Sequence, residues 1–172
     1  MSKMRKIRLE KLTINIGAGE AGPKLENAKK LVGMFSENKI VVTKTHKRTT
    51  FGVAKNRPVG AKVTLRGEVA KEFLGKVLHS MDNRLNVSHF DENGNFSMGV
   101  KEYIHIPGMK YDPEIGIMGM DVCVTLQRPG FRVSRRKIRP RKIGKKHKIT
   151  KEEAQEWVGK EFGVKIVRGE EE

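Results

Sequence analysis

Three glycines, Gly17, Gly19 and Gly22, stand at the spacing GxGxxG directly after an alternating apolar run and just before a helical one. In a dinucleotide site such glycines allow a tight turn and let backbone amides reach a pyrophosphate. That chemistry also needs an acidic residue about twenty positions further on, at the end of the next strand, to hold a ribose. This chain puts Lys44, His46, Lys47 and Arg48 there, and the strand that follows reads as a hairpin partner without the required parallel crossover. The glycines therefore read as a permissive turn. His46, His79, His89, His105 and His147 lack the close spacing of a metal site, and the single cysteine, Cys123, cannot complete one. No serine stands in a nucleophile elbow. Glu152 and Glu153 read as charges that stabilise a helix N-terminus. The expectation is a non-enzyme with no cofactor and no metal.

The chemistry that the residues do offer is the binding of a polyanion. Twenty of the 36 lysines and arginines fall in residues 38–67 and 122–151, which contain no aspartate or glutamate. The remaining 16 basic residues face 20 acidic ones, so the formal charge of +16 is wholly segregated into the two windows. A solubilising surface mixes its signs, whereas separated charge makes a directed positive field. Nucleic acid is the partner this predicts. Cys123, in the run MDVCVTLQ, fits a small apolar thiol packed in a strand, in a reducing compartment. The charged start MSKMRKIRLEKL predicts no secretory signal, and no window approaches the roughly 18 apolar residues of a membrane span.

The elements that must carry these groups follow from periodicity. Over residues 10–16, Leu12, Ile14 and Ile16 alternate with polar neighbours, which predicts a strand with one buried face. Leu25, Ala28, Leu31, Val32 and Phe35 recur at helical spacing from Pro23 onward. Residues 40–45 are rich in β-branched side chains and predict a second strand, and 59–66 alternate as a third. A helix opens at Gly67 with Val69, Phe73, Leu74, Val77, Leu78 and Met81 along one side and ends near Asp82 and Asn83. Asn93 and Gly94 in DENGN predict a turn between short extended pieces. Strands are expected at 100–106, stopped by Pro107, and at 120–127. Thr150 with Glu153 forms a capping box for a last helix that Gly163 closes.

Strands two and three lack a helix between them, so they pair antiparallel and the class is α+β. Every strand has polar side chains on its second face, whereas a sheet covered on both sides shows continuous apolar runs. The expected fold is a mainly antiparallel sheet of about five strands, with helices on one face and an open polar face on the other. Residues 1–128 form this domain, with 129–172 as a basic arm and helix packed on it.

On the open face Lys62, Thr64 and Arg66 of strand three and Thr13 and Asn15 of strand one form a candidate polar patch. Hydroxyls and amides suit sugars and phosphates because they both donate and accept. The loop from His46 to Arg57 surrounds Phe51 with Lys47, Arg48 and Lys55, offering one apolar surface for a base amid phosphate-binding cations. The run FRVSRRKIRPRKIGKKHKI holds Arg132, Arg135, Arg136, Lys137, Arg139, Arg141, Lys142, Lys145 and Lys146. Pro140 and Gly144 break any regular helix there, and the capped helix behind it anchors the far end, so the run reads as an arm laid along nucleic acid. A general coat on DNA or RNA is the second reading of the same charges.

KLTINIGAGEAG, RPVGAKVTLRGEVAKEFL and DENGNFSMGVKEYIHIPGMKYDPEIGIMGMDV closely resemble, in order and in register over about residues 7–128, the large-subunit ribosomal protein five family. The continuation through RPGFRVSRRK to the tryptophan-containing helix resembles its archaeal and eukaryotic branch. The resemblance implies a cytoplasmic, ribosome-bound scaffold in the central protuberance of the large subunit, touching large-subunit ribosomal RNA and neighbouring ribosomal proteins. It implies that the polar sheet face docks on 5S ribosomal RNA through Asn15, Asn38 and Thr64, with Asn38 where the family usually carries glutamine. It also implies that residues 46–57 reach the peptidyl-site tRNA.

Overall fold

Strand β1, Arg8–Gly17, exists because Leu12, Ile14 and Ile16 all reach the core on one side while Thr13 and Asn15 stay half-exposed on the other. This alternation is a strand's only way to bury one face. The computed structural model describes residues 3–48 and 52–167. Its further elements are α1 (Pro23–Phe35), β2 (Val41–Lys44), β3 (Pro58–Leu65), α2 (Gly67–Ser80), β4 (Arg84–Asn86), β5 (Phe96–Val100), β6 (Met120–Gln127), α3 (Arg132–Arg135), α4 (Lys151–Phe162) and β7 (Lys165–Val167). By packing they fall into two units interleaved in sequence, one within residues 12–65 and 98–123, the other within 1–11, 66–97 and 124–172.

The first unit is built on the five-stranded sheet, in the order β2-β3-β1-β6-β5. β3 pairs antiparallel with β1 and with β2, so β1 and β2 run the same way with β3 between them. The predicted α+β class and mainly antiparallel sheet are what the chain forms. The register sets Leu12 opposite Leu65, Ile14 opposite Val63 and Ile16 opposite Ala61, six side chains with at most 1% exposure. Helix α1 lies against β3 and buries the predicted stripe Leu25, Ala28, Leu31, Val32 and Phe35. On β6, Met120, Val122, Val124 and Leu126 are buried while Asp121 and Cys123 are exposed.

The strand expected at 100–106 is displaced. β5 occupies Phe96–Val100, with Phe96, Met98 and Val100 buried, and the chain then makes a 3₁₀ turn at Tyr103–His105. Tyr103 and Ile106 are both buried, at a spacing of three that a strand would send to opposite faces and a 3₁₀ turn brings together. The Tyr103 hydroxyl accepts from the Asp112 amide at 3.0 Å, which fixes the loop behind it.

In the second unit α2 buries Ala70, Phe73, Leu74, Val77 and Leu78, but Val69, expected on that stripe, is 53% exposed. At 100° per residue it lies about a quarter-turn or more from the stripe's centre, which Ala70 fills. α4 has the predicted capping box at Thr150 and ends on Gly163 with φ 67°. β7 is an unpredicted strand, and it pairs parallel with the equally short β4 in a second, two-stranded sheet. The DENGN turn closes with the Asp91 amide on the Asn95 carbonyl at 2.8 Å and the Gly94 amide on the Asp91 carbonyl at 3.2 Å.

Gly94 is required there twice over. Its φ is +75°, and a Cβ would sit 2.5 Å from Cγ2 of Ile149, a buried branched side chain that cannot withdraw. Gly94→Ala is therefore expected to cost about 2–4 kcal/mol, from left-handed strain plus overpacking. Gly99→Ala, whose new methyl meets only Asp121 Oδ1 at 3.9 Å, is expected to stay within about 0.5 kcal/mol of the parent. Urea unfolding of the two variants checks the contrast.

Candidate nucleic-acid interface

The β1–β3 register that buries six apolar residues also lines up the opposite face. Thr13 stands across from Thr64, Asn15 across from Lys62, and Gly17 across from Gly60. β2 adds Val41 beside Lys62 and Thr43 beside Gly60. Directly paired Cα atoms in such a ladder are about 4.5–5.5 Å apart, so these groups form one patch. Gly60 must lack a side chain because a Cβ would lie 2.6 Å from the Ile16 carbonyl oxygen and 2.9 Å from Thr43 Oγ1. The side chains of Thr13, Asn15, Lys62 and Thr64 make no hydrogen bond or ion pair among the described residues. Half-buried polar groups left unpaired by the protein carry an unspent capacity for hydrogen bonding.

Asn38 belongs to the same neighbourhood. Its Nδ2 donates to the Thr64 carbonyl at 3.4 Å, and its backbone amide donates to Ser36 Oγ at 3.0 Å. It is exposed, as is Lys62. Arg66, the last of the predicted patch, is exposed at the N-cap of α2.

Thr45 organises the base of the loop between β2 and β3. Its amide donates to the Arg57 carbonyl at 3.0 Å, its carbonyl accepts from the Asn56 amide at 2.9 Å, and its hydroxyl donates to the Ala54 carbonyl at 2.7 Å. His46, Lys47, Arg48, Lys55 and Arg57 all project as exposed side chains from this pinned base. Phe51 lies outside the described residues.

The second basic window is more ordered than its composition suggests, and its first arginine is structural. Arg128 is 5% exposed, and it donates to Glu153 Oε1 at 2.7 Å and to the Lys148 carbonyl at 3.3 Å. His147 Nε2 donates to the Pro129 carbonyl at 2.9 Å, and the Phe131 and His147 rings meet edge-on at 5.8 Å. These contacts bring the two ends of residues 129–148 together, so the arm is a closed loop. Inside it, α3 makes one helical turn and the Arg141 amide returns to the Val133 carbonyl at 3.1 Å.

The nine predicted arm residues, from Arg132 to Lys146, are all exposed. Two of their side chains have partners among the described residues: Arg135 pairs with Glu10, and Arg136 Nε donates to the Arg139 carbonyl at 2.9 Å.

The glycine-rich turn is not a phosphate cradle. The amides of Ala18 and Gly19 both donate to the Val59 carbonyl, at 2.8 and 3.1 Å. Among the described residues no group of His, Cys, Asp and Glu can hold a metal ion, and no helix is long and apolar enough to cross a membrane. Burial, and after it the Asp121 carboxylate, pushes the Cys123 thiol up from its ordinary value, away from a reactive thiolate. Asp121 itself was not singled out from the sequence, although its odd place in the MDVCVTLQ alternation puts it on the open face.

Comparison with known proteins finds matches over nearly the whole chain. Residues 58–160 match the C-terminus of the ribosomal L5 family, and residues 2–52 match Ribosomal protein L5. The chain is 52% identical to the large ribosomal subunit protein uL5 of Sulfurisphaera tokodaii, covering 98% of this chain and 97% of the relative. It is 46% identical to the uL5 of Methanosphaera stadtmanae, over 96% of this chain and 99% of the relative. For the uL5 of Nanoarchaeum equitans the identity is 47%, over 95% and 98%.

The clasp that closes the arm is testable through pH. Burial pushes the Glu153 carboxyl up, but the Thr150 amide, the Arg128 hydrogen bond and the Arg128 and Arg5 charges outweigh it and hold the group below its ordinary value of 4.5. A depressed carboxylate stabilises the fold fully above that ordinary value and loses its contribution as the pH falls through the folded-state value. Glu153→Ala leaves the Arg128 guanidinium buried without its anion. Because Glu153 is 43% exposed and partly screened, the expected loss at pH 7 is about 1–3 kcal/mol. Urea titrations of parent and variant should differ by that amount at pH 7, and the difference should shrink as the pH falls below the ordinary value of 4.5 and through the lower folded-state value.

Proposed function

The chain belongs to the ribosomal protein L5 family, and from that premise we propose that it is a structural constituent of the large ribosomal subunit that grips 5S ribosomal RNA with the uncovered face of its sheet. It is not an enzyme. It works in the cytoplasm, bound to the ribosome, and its contacts are ribosomal RNA and the neighbouring proteins of the central protuberance. The observation that carries the reading is the row Thr13, Asn15, Lys62 and Thr64, half-buried or exposed on a helix-free face, whose side chains make no hydrogen bond or ion pair among the described residues.

The mechanism divides into two parts. Exposed lysines and arginines of the loop and the arm supply affinity by releasing counterions from phosphates. Short hydroxyl and amide side chains, held at fixed spacing by the ladder, select RNA by its shape and its 2′-hydroxyls. Asn38, beside Thr64, and Arg66 extend the 5S contacts. The exposed cations of residues 46–57 serve the peptidyl-site tRNA, and those from Arg132 to Lys146 serve the large-subunit RNA.

Filter binding tests the sheet reading. Asn15→Ala and Thr64→Ala should each weaken 5S RNA binding by about 1–3 kcal/mol, because RNA groups lose their partners, while thermal unfolding stays unchanged. Parent-like affinity in both variants rejects the assignment. With roughly 6–10 phosphates neutralised, parent affinity should fall by about 10³–10⁵ between low and moderate salt. Equal affinity for duplex DNA at moderate salt would favour a non-selective coat.

Combined Lys47→Ala, Arg48→Ala and Lys55→Ala substitutions should spare 5S binding yet impair tRNA binding by reconstituted ribosomes. A large loss of 5S affinity in that variant puts the loop on the wrong RNA.

A further inference from the structure

One side chain on the uncovered sheet face has the wrong sign for a polyanion. Asp121, between the buried Met120 and Val122 on β6, is exposed and makes no hydrogen bond or ion pair among the described residues. It lines a shallow depression of about 480 Å³ together with Asn15, Gly17, Gly99, Lys101 and Gly119.

The depression exists because three of its positions lack a side chain. Gly119 is needed by the fold, since a Cβ there would come 3.0 Å from the Lys101 carbonyl oxygen. Gly17 and Gly99 are not. A Cβ on Gly17 meets nothing within 4 Å, one on Gly99 meets only Asp121 Oδ1 at 3.9 Å, and neither residue has a positive φ. Glycine inside a strand costs backbone entropy and gives up packing. Two such residues that the fold does not require point to close approach from outside.

A carboxylate repels phosphates, so what approaches Asp121 must present donors. An ionised carboxylate accepts on both oxygens. Among the RNA bases, guanine alone offers two adjacent donors of matching spacing, N1–H and N2–H, on its Watson–Crick edge. A duplex hides that edge, so the base must be unpaired, the state in which proteins read RNA sequence. Asn15 adds an amide donor for the neighbouring O6, and Lys101 adds a cation for the attached phosphate.

We infer that this depression is a pocket for one unpaired guanine of the bound RNA, with the Asp121 carboxylate accepting from its N1–H and N2–H. The inference rests on the reading that the sheet face binds 5S ribosomal RNA, and it names the base that the face reads.

The test uses the full chain and 5S RNA transcripts in which each unpaired guanosine is replaced singly by inosine, which lacks the 2-amino group. Asp121→Ala should weaken binding of the unmodified transcript by about 5- to 150-fold, the range of a bidentate base contact. One inosine transcript should bind the parent several-fold more weakly and show no further loss with Asp121→Ala. Gly99→Leu, which fills the depression, should weaken binding with thermal unfolding unchanged.

Asp121→Ala binding as tightly as the parent, or inosine losses that simply add to the variant's, overturns the pocket. So does an Asp121→Ala loss that vanishes when Mg²⁺ is replaced by monovalent salt, because that assigns a metal bridge. If Asn15→Ala and Thr64→Ala weaken binding and Asp121→Ala does not, the pocket falls and the sheet reading stands. If none of the three does, both fall.

Discussion

One-sided burial of the five-stranded sheet is the constraint on which the rest depends. Leu12, Ile14 and Ile16 on β1 and Ala61, Val63 and Leu65 on β3 meet across one register. Burying each of the larger aliphatic side chains contributes about 1.5–3 kcal/mol, whereas a hydrogen bond made on the other face nets about 1 kcal/mol. The apolar side therefore decides the register. A slip of one residue would turn the three apolar side chains of the shifted strand towards solvent and bring its polar ones into the core, so the alternative pairing is far out of reach. Thr13, Asn15, Lys62 and Thr64 inherit their spacing from that decision. Their own interactions do not have to hold the fold together, and that leaves them free for a ligand.

The second basic window shows how a chain with this much positive charge keeps a segment in place. Arg128 is withdrawn from solvent, against Glu153 and two backbone carbonyls, and its burial closes the loop that displays the other cations. Burying a charge stabilises little in itself, but once the guanidinium is inside, removing its carboxylate is costly. The contact thus acts as a clasp with a defined geometry. Nearby, the Gly94 turn packs on Ile149, which leads directly into the Thr150 cap of α4, so both ends of the arm meet rigid structure.

Much of this was legible in the sequence, for identifiable reasons. β1, β3 and β6 each carry an unbroken alternation, α1 a complete apolar stripe, and α4 a cap at both ends. Three features were not. The run FSMGVKEYIHI holds buried residues at spacing two and then at spacing three, and a reading that looks for one period places the strand too late. β7 and β4 are three residues each and exist only because they pair with one another, a long-range fact that no local pattern contains. The order of the arm depends on Arg128 finding Glu153, 25 positions away, which charge counting cannot foresee. At the site itself, the polar patch and the exposed arm residues were readable from alternation and composition. Asp121 is not legible in the same way, because a lone carboxylate beside so many cations reads as ordinary surface.

The GxGxxG turn, the strongest motif in the sequence, is used up inside the protein, which leaves the uncovered face for the proposed binding. Its glycines sit between a strand and a helix as a nucleotide site demands, yet the amides of Ala18 and Gly19 are already spent on Val59. β3 takes the place beside β1 that a parallel second strand would need. Once those donors are used inside the protein, what remains for recognition is the set of groups that the ladder leaves unpaired. Apart from Lys62, those groups are short. A lysine or arginine gives up about 2 kcal/mol of rotamer entropy when it is fixed, while threonine and asparagine on a strand are nearly fixed beforehand. Flexible cations on the loop and the arm suit phosphates, whose positions vary and whose attraction is long-ranged. Short, preset hydroxyls and amides suit the discrimination of one RNA surface from another, because a misplaced partner leaves them unpaired at once.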